Sequence, residues 1–334
     1  MALTRRAVLA AAPAFALVAA VPRAGAQDAT PAAGEWIFTD DRDLTVALPE
    51  RSETVVAQVT AAAALWDYGI RPIAIFGPQR REDGSPDPML GAIDAGAVDS
   101  LGAAWGEFDL EALIAPAPDL LVAPWYGEYR GEPEPLWYVP ADIAPTVEDV
   151  VPTVGILAQD VPITTTIDRF AELAAALGAD LGSPENAAAK ERYDRGLADL
   201  ADAIAGNPGL RVLAMSPKAD VFHVAHPTAA GDLMFLSGLG LDVVAPDSAP
   251  EDFWQELSWE DADAYPADLI LRDVRRQALR DAELEKIPTW GTMPAVAAGQ
   301  VTPWQLEQPY SYAGYAPVLE ELAAAIRSAR ADIA

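Results

Sequence analysis

Short apolar runs rich in Val, Ile and Leu alternate along this chain with segments of helical period. Thr54–Ala57, Pro72–Phe76, Asp119–Ala123 and Val151–Ile156 are continuous and mostly apolar, the pattern of strands buried on both faces. Between them, Ala61–Tyr68 and Asp109–Ala115 have helical spacing, the first closed by Gly69. Ahead of these, Trp36–Phe38 and Leu44–Leu48 flank Asp40-Asp41-Arg42-Asp43 and predict a short hairpin. Residues 124–140, rich in Pro, Trp, Tyr and Glu, predict a long loop. Thr165–Leu177 predicts an amphipathic helix. Ser183 then caps, and Pro184 opens, the longest helical pattern, which Gly206-Asn207-Pro208 ends. The alternation resumes with strands at Arg211–Met215, Val221–Ala225, Leu241–Val244 and Leu269–Leu271, and helices at Gly231–Gly238, Glu260–Ala264 and Tyr315–Ala329. Strands alternating with helices predict parallel sheets in α/β layers.

The pattern occurs twice. Leu65-Trp66-Asp67-Tyr68-Gly69-Ile70 leading to Ile73 matches Leu236-Ser237-Gly238-Leu239-Gly240-Leu241 leading to Val244. Downstream of each, a glutamate precedes an Asp-Leu strand: Glu111 before Asp119-Leu120-Leu121-Val122, and Glu260 before Asp268-Leu269-Ile270-Leu271. Two similar lobes imply a cleft between them, where a small ligand would sit. The long helix, at 1.5 Å per residue, spans about 33 Å, enough to bridge both lobes.

Composition narrows the partners. The net charge is −29, with 51 Asp and Glu against 22 Lys and Arg. Such a chain repels phosphate backbones and anionic lipid, which excludes nucleic acid as an expected partner. There is no cysteine, hence no disulfide, thiolate metal site or thiol nucleophile. Thr4-Arg5-Arg6-Ala7-Val8-Leu9, the apolar run Ala7–Val21 and Ala24-Gly25-Ala26 read as a twin-arginine export signal over residues 1–26, too short in its apolar part for a membrane span. Its removal would leave a chain of charge −32. The expected product is a soluble protein outside the cytoplasmic membrane, without a lipid anchor.

Three further segments carry a family resemblance. Phe108-Asp109-Leu110-Glu111-Ala112-Leu113 precedes Pro118-Asp119-Leu120-Leu121-Val122, and Leu257-Ser258-Trp259-Glu260 precedes Ala267-Asp268-Leu269-Ile270-Leu271. Met293-Pro294-Ala295-Val296-Ala297-Ala298-Gly299-Gln300-Val301 follows. In this order they resemble substrate-binding proteins of ABC importers, the helical-backbone class that carries iron–siderophore complexes, cobalamin and haem. The resemblance covers nearly the whole mature chain. It implies an α/β fold of two Rossmann-like lobes joined by a single long helix, with the ligand cleft between the lobes. The expected division is 27–182 for the first lobe, 183–206 for the linking helix and 207–334 for the second lobe. It also implies that Glu111 and Glu260, one per lobe, dock into arginine pockets of an ABC permease.

Ligands of open α/β sheets bind beyond the carboxyl ends of strands. The loops there offer Arg80, Trp105, Trp125 and Tyr126 in the first half, with Tyr129 and Arg130 nearby. In the second half they offer Phe222, Trp254, Arg272, Tyr310 and Tyr312, beside His223, His226 and Trp304. Aromatic rings cover a large flat ligand, and guanidinium groups pair with its anionic oxygens. Arg272 has Asp273 beside it in sequence as a neutralising partner.

The expected ligand is a ferric siderophore, of low net charge such as a hydroxamate because the chain is so acidic. Haem and cobalamin are alternatives of the same class. A direct zinc or manganese carrier is less supported, with only His223 and His226 to offer. No G-x-S-x-G, P-loop, H-E-x-x-H or G-x-G-x-x-G motif occurs, so the expectation is a monomeric carrier without catalytic activity or cofactor.

Overall fold

The repeated segments form the same local structure twice. Helix α1 (Val59–Asp67) ends where Gly69 takes φ +96°, and the amide of Ile70 donates back to the carbonyl of Leu65. In the second half, Gly240 takes φ +94° and the amide of Leu241 donates to the carbonyl of Leu236. Both are helix C-caps that need a left-handed residue, which glycine supplies without steric cost. The repeated aspartates share a task as well. Asp119 Oδ2 accepts from the amides of Glu53 and Thr54 and from the Thr54 hydroxyl, and Asp268 Oδ2 accepts from the amide of Arg211. Each carboxylate thereby ties its own strand to the start of the neighbouring central strand.

The computed structural model describes residues 35–334 apart from 82, 130, 131, 134, 135, 250 and 251. The export signal and Arg130 lie outside the described residues. The described residues begin with the hairpin β1 (Trp36–Thr39) and β2 (Thr45–Leu48). The first sheet contains β3 (Val55–Gln58), β4 (Ala74–Phe76), β5 (Asp99–Ser100) and β6 (Leu120–Trp125). A small hairpin, β7 (Glu128–Tyr129) and β8 (Glu132–Pro133), lies in the predicted loop, and β9 (Thr153–Leu157) completes the sheet. The order is β5-β4-β3-β6-β9, every pair parallel. Its helices are α1, α2 (Leu110–Ile114), α3 (Ala144–Val150) and α4 (Ile163–Ala176).

Helix α5 (Pro184–Gly206) joins the lobes, with the Ser183 side chain accepting from the amide of Asn186 at its start. The second sheet takes β10 (Arg211–Pro217), β11 (Val221–Ala225), β12 (Asp242–Val243), β13 (Trp254–Ser258), β14 (Leu269–Asp273) and β15 (Val301–Trp304). Around it lie α6 (Gly231–Gly238), α7 (Asp281–Leu284) and α8 (Pro294–Ala297). This sheet is mixed and not all-parallel as predicted: β11 pairs antiparallel with both β10 and β13, because a tight connection returns β11 directly onto β10. The predicted helix Glu260–Ala264 is a single 3₁₀ turn, Trp259–Asp261, capped by Ser258.

The segment after β15 returns to the first lobe, and helix α9 (Tyr312–Ser328) then runs beside α5 to the second lobe, where Asn207 donates to the carbonyls of Ile326 and Ala329. Gly196 of α5 faces Leu319 of α9 so closely that a Cβ there would lie 3.0 Å from the Leu319 Cβ. At the first lobe, Ser311 donates to Asp67, the amide of Tyr312 donates to the Tyr68 hydroxyl, and Tyr310 stacks on Phe170 with centroids 5.4 Å apart. The lobes are therefore held together by two helices and by side chains at their common base. Among the described residues no helix is long and apolar enough to cross a membrane.

Candidate functional site

The carboxyl ends of the two sheets face one another across a cleft of about 420 Å³. The first lobe contributes loops that follow β4, β5 and β6: Pro78, Asp87 and Met89, then Ala104 and Trp105, then Trp137 and Tyr138. The second contributes Arg275, Arg276 and Gln277 after β14, and Gln305 and Glu307 after β15. One wall is aromatic. Trp105 lies 4.8 Å from Trp137 and 5.0 Å from Tyr138 between ring centroids, and Tyr126 packs behind Trp137 at 4.3 Å. Trp105 is 61% exposed, a large apolar surface left open to the cleft.

The opposite wall is charged. Arg275 is largely covered, its side chain 12% exposed, and donates to both carboxylate oxygens of Asp273, at 3.0 Å each, and to Glu307 at 3.3 Å. Burial opposes its charge, yet the two carboxylates outweigh that and raise its pKa. Burial would likewise raise Asp273, but the Arg275 charge and the bonds from Arg275 and Ser216 hold it below its ordinary value. Glu307, 6% exposed, also accepts from Trp137 Nε1 at 2.8 Å, so the charged wall and the aromatic wall share a hydrogen bond. The phenols facing this region are kept neutral: burial pushes the pKa of Tyr126, Tyr138 and Tyr310 up.

The nine candidate ligand residues fall in several places. Trp105 lines the cleft. Tyr126 forms the second layer behind Trp137, its hydroxyl 3.4 Å from that of Tyr310. Trp125 packs against the core of the first lobe. Trp254 lies beside the cleft wall, its ring 5.8 Å from the Arg275 guanidinium. Arg80 points its guanidinium to the carbonyl of Gly84, and it is Arg81 that reaches a second, smaller pocket. Arg272 lines that pocket and pairs with Asp281 at 2.9 Å, not with Asp273, which Arg275 occupies.

The other three belong to packing. Phe222 is 1% exposed and lies against Trp259 in the second lobe's core, because β11 turns that side chain inward. Tyr310 is buried on Phe170, and Tyr312 packs on Tyr68 and Tyr193 and donates to Asp168 at the base of the lobes. His223 sits 3.3 Å from Glu256, and His226 bonds Thr228. Among the described residues no three His, Cys, Asp or Glu side chains converge as metal ligands.

Trp137, Tyr138, Arg275, Arg276, Gln305 and Glu307 were not singled out from sequence. The signal was available for two of them: Arg275 and Arg276 directly follow the carboxyl end of β14, the position where such sheets bind ligands. Glu111 and Glu260 are exposed at corresponding turns before β6 and β14.

Two α/β lobes, bridged by a helix and open along a cleft at their strand ends, define a substrate-binding protein. The chain belongs to the periplasmic binding protein family, whose model matches residues 83–305. Among solved structures it is similar to DesE, a ferric-siderophore receptor protein from Streptomyces coelicolor, with 36% identity and a TM-score of 0.82 over 88% of this chain and 99% of that one. The siderophore periplasmic binding protein from the fuscachelin gene cluster of Thermobifida fusca shares the fold at 22% identity and a TM-score of 0.58, covering 83% of this chain and 96% of that one. FhuD from Vibrio cholerae, solved with Fe³⁺–Desferal, shares it at 17% identity and a TM-score of 0.56, covering 82% and 99%. A search of curated protein sequences finds no match.

Proposed function

We propose that this chain captures a ferric siderophore outside the cytoplasmic membrane and delivers it to an ABC permease, without changing it chemically. The observation that carries this reading is the cleft itself. A volume of about 420 Å³ lies in the range of small-ligand sites, and one wall offers three contiguous aromatic faces while the other holds Arg275, fixed by two carboxylates, beside Arg276. Its likeness to DesE, a ferric-siderophore receptor, supports an iron chelate as cargo.

The charge balance favours a chelate of low net charge, of the hydroxamate kind. Arg275 is already neutralised by Asp273 and Glu307, so it brings little net positive charge to a highly anionic ligand. The whole chain's net charge of −29 disfavours the approach of such a ligand, an effect that salt screens over about 8 Å at physiological ionic strength. Trp105, Trp137 and Tyr138 would cover the chelate, with Tyr126 and Trp254 supporting from behind. Glu111 and Glu260 would orient the loaded protein on the permease, as two charges set on separate lobes can. Export by the twin-arginine route and a monomeric state complete the reading.

Thermal-shift screening tests it. A ligand that binds only the folded state raises the melting temperature with dose. A ferric tris-hydroxamate should do so at micromolar concentration, and a ferric tricatecholate, haem, corrinoids and bare metal ions should do so less. Tighter binding of the tricatecholate would remove the hydroxamate preference, and a response confined to haem or a corrinoid would replace the cargo.

A further inference from the structure

Beside the cleft lies a second pocket of about 230 Å³ whose wall holds five arginines: Arg81, Arg272, Arg275, Arg276 and Arg280. The chain has only 22 Lys and Arg among 334 residues, so five around one small cavity is a marked concentration in an acidic protein. Three of the five are committed. Arg272 pairs with Asp281, Arg275 with Asp273 and Glu307, and Arg280 with Asp83 across the lobes. Arg81 and Arg276 have no described carboxylate within ion-pair range. Asp87, the acid whose titration both of them influence, is itself buried, accepts from the Met89 amide and has its pKa raised by desolvation. Arg275 and Arg276 line this pocket and the cleft alike, so the two cavities adjoin. Arg81 comes from the first lobe and Arg276 from the second, which places the two guanidiniums on opposite sides of the lobe boundary.

We infer that this pocket is an oxyanion site that takes a carboxylate, most simply the anionic tail of a chelate whose iron-bearing part fills the adjoining cleft. The inference rests on the reading of the cleft as a chelate site. A guanidinium matches a carboxylate with two parallel N–H donors, and two of them facing from different lobes would clamp one anion. Such a clamp couples the tail to closure of the lobes, because neither lobe supplies both halves. It also reconciles an acidic protein with a ligand bearing one negative charge: the anion meets a local field opposite in sign to that of the whole molecule.

The test uses two ferric chelates built on one linear tris-hydroxamate, one acetylated at its terminal amine and so neutral there, the other succinylated and so ending in a carboxylate. Calorimetric titration of the wild-type protein should give about tenfold tighter binding of the succinylated chelate, the size expected of a charge-assisted bidentate contact. That ratio should fall to near one in Arg81→Gln and in Arg276→Gln, and be intermediate in Arg81→Lys, which keeps the charge but not the fork. In a separate arm, free succinate at low salt should raise the melting temperature of the wild type above a chloride control of equal ionic strength, and not that of Arg81→Gln; the same melts establish that each variant is folded. A succinate response without chelate preference assigns the pocket to a free anion and still supports the oxyanion site. A ratio near one in the wild type together with no succinate response overturns it, as does a preference that survives both replacements. If neither chelate binds, the reading of the cleft fails, and the succinate arm alone decides the arginine pocket.

Discussion

Trp137 donates its indole N–H to Glu307 Oε1 at 2.8 Å, and this bond crosses from the loop after β6 to the segment after β15. Glu307 is held in turn by Arg275, and Arg275 by Asp273. A side chain of the aromatic wall is thereby fixed to the charged wall. Trp137→Phe keeps the ring and removes the donor, leaving a buried carboxylate oxygen short of a partner at a cost of about 1–3 kcal/mol. Urea unfolding should register that loss, and chelate affinity should fall several-fold as the wall loses its position. Unchanged stability would show that the bond is not made in solution.

Trp105 separates binding from stability. Its ring is 61% exposed, so Trp105→Ala should alter stability by no more than about 1 kcal/mol. The same change removes one face of the cleft, and chelate binding should weaken about tenfold, in line with an aromatic contact at a binding site. Titration calorimetry alongside thermal melts measures both, and equal affinity for the two proteins would place the ligand elsewhere.

Asp232 should make stability depend on pH. It is buried behind the cleft, where desolvation raises its pKa to about 6 against the hydrogen bonds from Trp304 Nε1 and the Leu233 amide. The unfolded chain ionises near 3.8, so between about pH 4 and 6 the folded state binds the proton and the unfolded state does not. Stability from this group is therefore complete below pH 4 and is lost as pH rises through 6, by about 3 kcal/mol in all. Asp232→Asn keeps an acceptor for Trp304 and removes the titration. The stability difference between wild type and variant should shift against the wild type between pH 4 and 7, and a constant difference would refute the assignment.

The α5–α9 contact offers a test of the frame. At Gly196 an added Cβ would meet the Leu319 Cβ at 3.0 Å, and a longer side chain would have to push α9 away. Gly196→Leu should destabilise the protein by about 1–3 kcal/mol, the usual cost of overpacking. Gly196→Ala, with its single methyl, should cost less, because Ala recovers helix propensity while meeting the same neighbour. Denaturant midpoints for the three proteins decide the order.

Glu111 and Glu260 should matter to delivery and not to capture. Both are exposed and neither lines the cleft. Glu111→Arg and Glu260→Arg should leave the chelate dissociation constant within about twofold, since rim charges far from a contact change its energy little, while iron uptake in whole cells falls strongly. Wild-type uptake by both variants would remove the docking role.

Local order was readable in the sequence because it follows from short-range chemistry. The matching Leu-to-Gly segments announced two equivalent helix ends, and Gly69 and Gly240 adopt the same left-handed turn. Ser183 and Pro184 marked the start of the linking helix, and Gly206-Asn207 its end. The membership of the cleft depended on long-range contacts. Nothing local distinguishes Phe222, turned into the core, from Trp105, turned into the cleft. Nor does sequence spacing show that Arg275 takes Asp273 while Arg272 reaches Asp281. Strand periodicity sets only which face a side chain takes, and the partner on that face comes from elsewhere in the chain. The sequence by itself thus determined two kindred α/β halves and a stiff helix between them. The tertiary structure alone decided which loops meet, because the pairing of Trp137 with Glu307, 170 residues apart, exists only once both sheets have formed and turned their strand ends toward each other.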